Sequence, residues 1–235
     1  MAVVTLPFRR YRPPVPGDPL TAICFDMDGT LVDSAAVVER GWRRFADRHG
    51  LDAESFLGQV HGIRSSDAVA AIAPWLDAHA EAERLDAEEA GDFDGLRPVP
   101  GAGRVLAALP DDAWAVVTSA GRELARARLT AARLPVPRVL VCSEDTSAGK
   151  PAPDCYLAAA RQLGALPGDC LVVEDVPAGI EAARAAGMPV VGITTTHPAA
   201  ALAADACIET LHELVDAITA LGRSAPEGHV EAIEG

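Results

Sequence analysis

Two aspartates stand two residues apart in the stretch "FDMDGT": Asp26 and Asp28, followed at once by Gly29 and Thr30. Residues two apart in extended chain project to the same side, so both carboxylates can face one site while Phe25 and Met27 face a core. Two acids that close repel each other unless a cation neutralises them. Glu174 and Asp175 end a later apolar run, and with them the set becomes a cluster of hard oxygen donors suited to Mg2+. Lys150 adds a fixed positive charge, Thr118 and Ser119 add hydroxyl donors, and the Gly29–Thr30 turn adds main-chain N–H groups. Together they form a receptor for a phosphoryl group carried by Mg2+.

Ligands of open parallel sheets bind beyond the carboxyl ends of the strands, and these residues all follow apolar runs. Such runs lie at Thr21–Phe25, Trp114–Thr118, Val139–Cys142, Cys170–Glu174, Val190–Ile193 and Ala206–Ile208. Helical segments alternate with them, one starting near Pro153 and stopping at Gly164, another running from Pro177 to Ala186 before Gly187. The alternation predicts an α/β fold, a Rossmann-like parallel sheet flanked by helices, over residues 20–33 and 98–222. Residues 34–97 contain no convincing strand and predict an inserted helical unit. There Val38, Trp42 and Phe45 recur at helical spacing, and Trp75 to Ala90 reads as a further helix. Eight acids against one arginine between Asp77 and Asp94 read as a solvated face. Residues 1–19, with three arginines and five prolines, predict a flexible extension, and residues 223–235 a tail.

Composition sets the outer bounds. The 235 residues are 49% hydrophobic and 4% aromatic, enough for a sizeable core, and the formal charge of −14 opposes polyanionic partners such as nucleic acid or an anionic membrane. No apolar run is long enough to span a bilayer, which makes a cytoplasmic monomer or small homo-oligomer the expectation. Cys24, Cys142, Cys155, Cys170 and Cys207 show no metal-ligand spacing and read as small buried hydrophobes.

The ordered segments "DMDGT", "VTS", "GKP" and "VVEDVPAGIEAARAAGM" resemble the four motifs of the haloacid dehalogenase superfamily, over about Thr21 to Leu221. The resemblance implies an inserted helical cap and a two-step phosphoryl transfer. Asp26 would be the nucleophile that becomes an aspartyl-phosphate, and Asp28 the general acid/base. Thr118 would hydrogen-bond the phosphoryl group and Lys150 would balance charge. It further implies Mg2+ held by Asp26, the Asp28 main-chain carbonyl and Asp175, with Glu174 acting through water; neighbours in a strand point oppositely, so Glu174 and Asp175 are not expected to bind alike. Val176 departs from the family, many members of which carry serine there. Dehalogenases of the same fold lack an acid two residues beyond the nucleophile, so Asp28 favours phosphate chemistry.

Within the insert, "VHGIRSSDAV" is similar to the cap segment of sugar- and polyol-phosphate phosphatases, and "TSAGR" to another segment of that group. This resemblance implies that His61 and Arg64 contact the substrate, while Arg122 reads as a helix-surface or salt-bridging residue. The function expected is a Mg2+-dependent phosphatase of small phosphorylated sugars or polyols. The alternatives are a phosphoglucomutase-type phosphotransferase of the same superfamily and a non-catalytic module that binds a phosphometabolite.

Overall fold

The computed structural model describes residues 22–223; the expected extension and the tail beyond Arg223 lie outside them. In chain order the elements are β1 (Ala22–Phe25), β2 (Val32–Asp33), α1 (Ala35–His49), α2 (Ser65–Ile72), α3 (Ala78–Ala90), β3 (Arg97–Pro98) and α4 (Ala102–Ala107). There follow β4 (Trp114–Val117), α5 (Arg122–Ala131), β5 (Val139–Val141), α6 (Asp154–Leu163), β6 (Cys170–Glu174), α7 (Pro177–Ala185), β7 (Val190–Ile193), α8 (Ala199–Leu202), β8 (Ala206–Ile208) and α9 (Leu211–Arg223). Six strands form a parallel sheet in the order β5-β4-β1-β6-β7-β8.

Strand alternation divides the core into two layers. Ile23 and Phe25 of β1 join Leu171 and Val173 of β6 in one apolar cluster. Ala22 and Cys24 join Cys170 and Val172 in the other. Burial on both faces is why these runs are apolar throughout instead of alternating with polar residues. In register, Phe25 lies beside Val173, and the Asp26 amide donates to the Val173 carbonyl at 3.0 Å. The carboxyl ends of β1 and β6 are thereby adjacent, which brings Asp26 beside Glu174. All five cysteines are free thiols, four of them buried.

The insert builds its own apolar cluster, centred on Trp42, Phe45, Phe56 and Leu85. Trp42 meets Phe45 and Phe56 edge-on, with ring centroids 5.3 and 6.0 Å apart; such pairs add about 0.5–1.5 kcal/mol each beyond burial. Two expectations need correction. A two-stranded antiparallel ladder, β2 with β3, joins the chain's entry to and exit from the insert, and two residues per strand are too few to show a period. The helix expected from Trp75 begins at Ala78, because the Asp77 side chain accepts the amides of His79 and Ala80 and caps it there.

The acidic run is also not merely a solvated face. Arg40 of α1 pairs with Asp92 at 2.7 Å, and Arg48 with Glu88 at 2.9 Å. These partly exposed pairs register α1 against α3, while Asp86 and Glu89 turn toward a cavity between insert and core. No helix among the described residues is long and apolar enough to cross a membrane.

Candidate active site

At the carboxyl end of the sheet, Lys150 Nζ lies 2.5 Å from Asp26 Oδ1 and 2.6 Å from Glu174 Oε1. All three are buried. Tyr156 of α6 donates its hydroxyl to the same Glu174 oxygen at 3.0 Å, and the other Glu174 oxygen accepts the amides of Asp175 and Val176. Burial opposes the charge on Lys150, but Asp26 and Glu174 outweigh it and hold the ammonium above its usual range.

Asp175 closes the cluster. Thr30 Oγ1 donates to its Oδ1 at 3.1 Å, and Thr196 Oγ1 to its Oδ2 at 2.6 Å. Gly29 makes this approach possible: at φ +81°, a Cβ there would stand 2.0 Å from Asp175 Oδ2. Asp26, Glu174 and Asp175 each offer one carboxylate oxygen within 4.8 Å of the others. One lysine cannot neutralise three buried carboxylates. Burial, followed by repulsion from Glu174, pushes Asp175 up to about 8, and burial likewise raises Asp26 well above the carboxylate range. Crowded hard oxygens with excess negative charge fit Mg2+.

A cavity of about 210 Å³ opens over this cluster, and its walls come from both core and insert. Asp26, Asp28, Thr118, Ser119 and Asp175 line it from the core; His61, Ser65, Asp86 and Glu89 line it from the insert. Asp28 Oδ1 accepts from Ser34 Oγ at 2.6 Å and ion-pairs with Arg128 Nη1 at 2.8 Å. Arg128, a buried residue of α5, also ion-pairs with Glu89. Burial pushes Glu89 up to about 7, with Arg128 pulling against it and Asp28 and Asp86 adding to it. Burial, aided by His197, lowers His61 below the usual imidazole range.

Several residues occupy other places than the sequence suggested. Arg64 does not line the cavity: its guanidinium donates to the carbonyls of Thr146, Ser147 and Ala148, on the loop that leads to Lys150. A planar fork of donors fits three converging carbonyls, and this cation fastens insert to core. Ser119 lines the cavity, but its hydroxyl donates to the Gly62 carbonyl at 2.9 Å. The Gly29 amide, expected to face the phosphate, is spent on the Val32 carbonyl, while the Thr30 hydroxyl additionally donates to Asp175. Glu174 stays within the acidic cluster, as expected, and its two oxygens also brace Lys150 and the 175–176 main chain. Glu174 and Asp175 nevertheless reach one cluster, because β6 ends at Glu174 and the strict alternation stops with it. Arg122 pairs with Asp145 at 2.5 Å, as expected of a salt-bridging residue.

Sequence reasoning missed Arg128, Glu89, Ser34, Tyr156 and Thr196. Thr196 carried a usable signal, since it follows the apolar run of β7 just as Asp26 follows that of β1.

A Rossmann-like sheet with paired acids beyond β1, a lysine before β6 and acids ending β6 defines a haloacid dehalogenase-like hydrolase, and the chain belongs to that family, which it matches over residues 20–187. Its relatives place it among the family's phosphoric monoester hydrolases. It is 44% identical over 174 residues to hexitol phosphatase A of Escherichia coli, covering 72% of this chain and 81% of that one. It is 34% identical over 189 residues to glycerol-1-phosphate phosphohydrolase 1 of Saccharomyces cerevisiae, covering 75% and 76%. Among solved structures, a hydrolase from Pseudomonas syringae superposes with a TM-score of 0.75 at 27% identity, over 85% of this chain and 98% of that one.

Proposed function

We propose that the protein is a Mg2+-dependent phosphatase of small phosphorylated sugars or polyols that works through an aspartyl-phosphate at Asp26. The observation that carries this reading is the buried Lys150 held between Asp26 and Glu174, with Asp28 on the same cavity. Lys150 keeps Asp26 fixed and offsets charge as phosphate approaches. An Asp26 oxygen attacks phosphorus, the bond to the leaving oxygen breaks, and Asp28 delivers a proton to that oxygen. Water then attacks phosphorus, Asp28 takes its proton, and Asp26 is released as the free carboxylate. Thr118, at the end of β4, stands on the cavity wall where it would hydrogen-bond the phosphoryl group.

The Asp26 and Asp175 side chains and the Asp28 main-chain carbonyl would hold Mg2+; when bound, the ion neutralises phosphoryl oxygens and relieves the carboxylate excess. Residues 34–97 serve as the cap, which limits the site to small substrates and excludes water. The modest cavity and the activities of the hexitol and glycerol-1-phosphate phosphatases among its relatives support a hexitol, sugar or glycerol monophosphate as substrate. His61, on the cavity wall, is a hydrogen-bonding group for a substrate hydroxyl. The net charge of −14 weighs against nucleic acid as a partner. A phosphate-release assay with Mg2+ over a panel of sugar and polyol monophosphates tests the reading. Free phosphate is the expected product; an isomeric phosphosugar in its place, or no product from any ester, contradicts it.

A further inference from the structure

The hydrogen bonds to Asp28 are unequal. Its Oδ1 takes both Ser34 and Arg128, whereas Oδ2 takes no hydrogen bond from the described residues. The side chain is 24% exposed, on the cavity wall. Arg128 is 2% exposed, and its second Nη goes to Glu89, itself 5% exposed. Glu89 belongs to α3 of the insert, Arg128 to α5 of the core, and Asp28 to the loop after β1. A continuous buried chain of charges therefore runs from the insert to the carboxylate that handles protons. Glu89 is closely seated on its other side as well, since a Cβ on Gly41 of α1 would stand 2.6 Å from its Oε1.

Stability alone is a poor reason for this arrangement. Apolar residues of similar volume often replace a buried ion pair with no loss of stability. Arg128 Nε is moreover buried with no acceptor, an uncompensated cost in a residue whose two other nitrogens are committed. What the arrangement does supply is orientation: two partners on one oxygen hold the carboxylate and leave the second oxygen without a donor from the described residues.

We propose that Arg128, held in place by Glu89, is a positioning residue for Asp28: it engages Oδ1 so that Oδ2 is the oxygen presented to the leaving group. Because Glu89 comes from the insert, the seating of the insert and the orientation of the acid are one event, and an insert that is not docked leaves Arg128 without its second partner. This inference rests on the phosphatase reading above.

The test compares an ester whose departing oxygen needs a proton, a hexitol monophosphate, with one that leaves readily as its anion, p-nitrophenyl phosphate. The readout is kcat/KM, which covers the steps up to departure of the leaving group. Arg128→Met should lower kcat/KM for the hexitol ester by about 30-fold or more and for the aryl ester by less than about threefold, a split that a misplaced general acid produces. Arg128→Lys, which retains a donor and the charge, should recover part of the hexitol loss. The double variant Arg128→Met/Glu89→Leu removes the buried charges together and should fold as well as the parent while keeping the split. Equal losses on both esters in that double variant, or no loss on either, would overturn the inference while leaving the phosphatase reading intact. If the unaltered protein releases phosphate from neither ester, the phosphatase reading falls and this inference with it.

Discussion

Lys150 and Arg128 are both buried cations, each set between two carboxylates. Lys150 joins Asp26 to Glu174, and all three stand at or beyond strand ends of one sheet. Arg128 joins Asp28 to Glu89, and Glu89 belongs to the insert. The first triad is complete within the core, while the second exists only where core and insert meet. In the proposed mechanism the difference would separate two requirements of phosphoryl transfer: a nucleophile held wholly by the core, and a proton-handling group held in part by the insert.

The largest effect should fall on the first triad. Asp26→Asn should reduce turnover by about four orders of magnitude or more, because an amide is a poor nucleophile; activity within tenfold of the parent would dissolve the distinction between the triads. Lys150→Met should destabilise the fold by about 3–5 kcal/mol in chelator-treated protein, since it strands buried Asp26 and Glu174. Urea unfolding measures this, and a loss below about 1 kcal/mol would mean that Lys150 is not their counter-charge. Gly29→Ala should cost about 1–3 kcal/mol, through its positive φ and its clash with Asp175, and should weaken Mg2+ binding. Calorimetric titration with Mg2+ checks that prediction, and unchanged affinity would detach Gly29 from the metal cluster.

The smallest effect on catalysis should come from the insert's own fastening. Arg64→Met should destabilise by about 1–3 kcal/mol as the Thr146, Ser147 and Ala148 carbonyls lose their donor. It should leave KM for every accepted ester within about threefold of the parent, as expected when no substrate contact is lost. A tenfold rise in KM would return Arg64 to the substrate.

The two regions were also unequally legible in the sequence. Asp26, Thr118, Lys150 and Asp175 could be read because each follows an apolar run, and a parallel sheet gathers strand ends by topology alone. Strand bounds matched the expectation to within about a residue for the same reason: full burial leaves runs that charged loops interrupt sharply. The second triad left no such mark. Arg128 sits in "ELARARL", where every third or fourth position reads as helix surface, and its burial depends on Glu89, 39 residues away. Glu89 lies within an acidic run in which Glu88 and Asp92 do pair with arginines of α1. Tyr156 resembled an ordinary core residue until its hydroxyl met Glu174. Arg64 was visible as a cation in an irregular segment, but three main-chain carbonyls from a distant loop decide where it points.

Whether Asp26 takes the phosphoryl group decides between the roles of the two triads. Rapid quenching during turnover of a hexitol monophosphate with Mg2+, followed by borohydride reduction and peptide mass spectrometry, addresses it directly, because reduction converts an aspartyl-phosphate to homoserine. Transfer to Asp26 predicts homoserine at position 26 alone, dependent on substrate and absent in Asp26→Asn. Steady phosphate release with no modification at position 26, or with modification at another carboxylate, would contradict it.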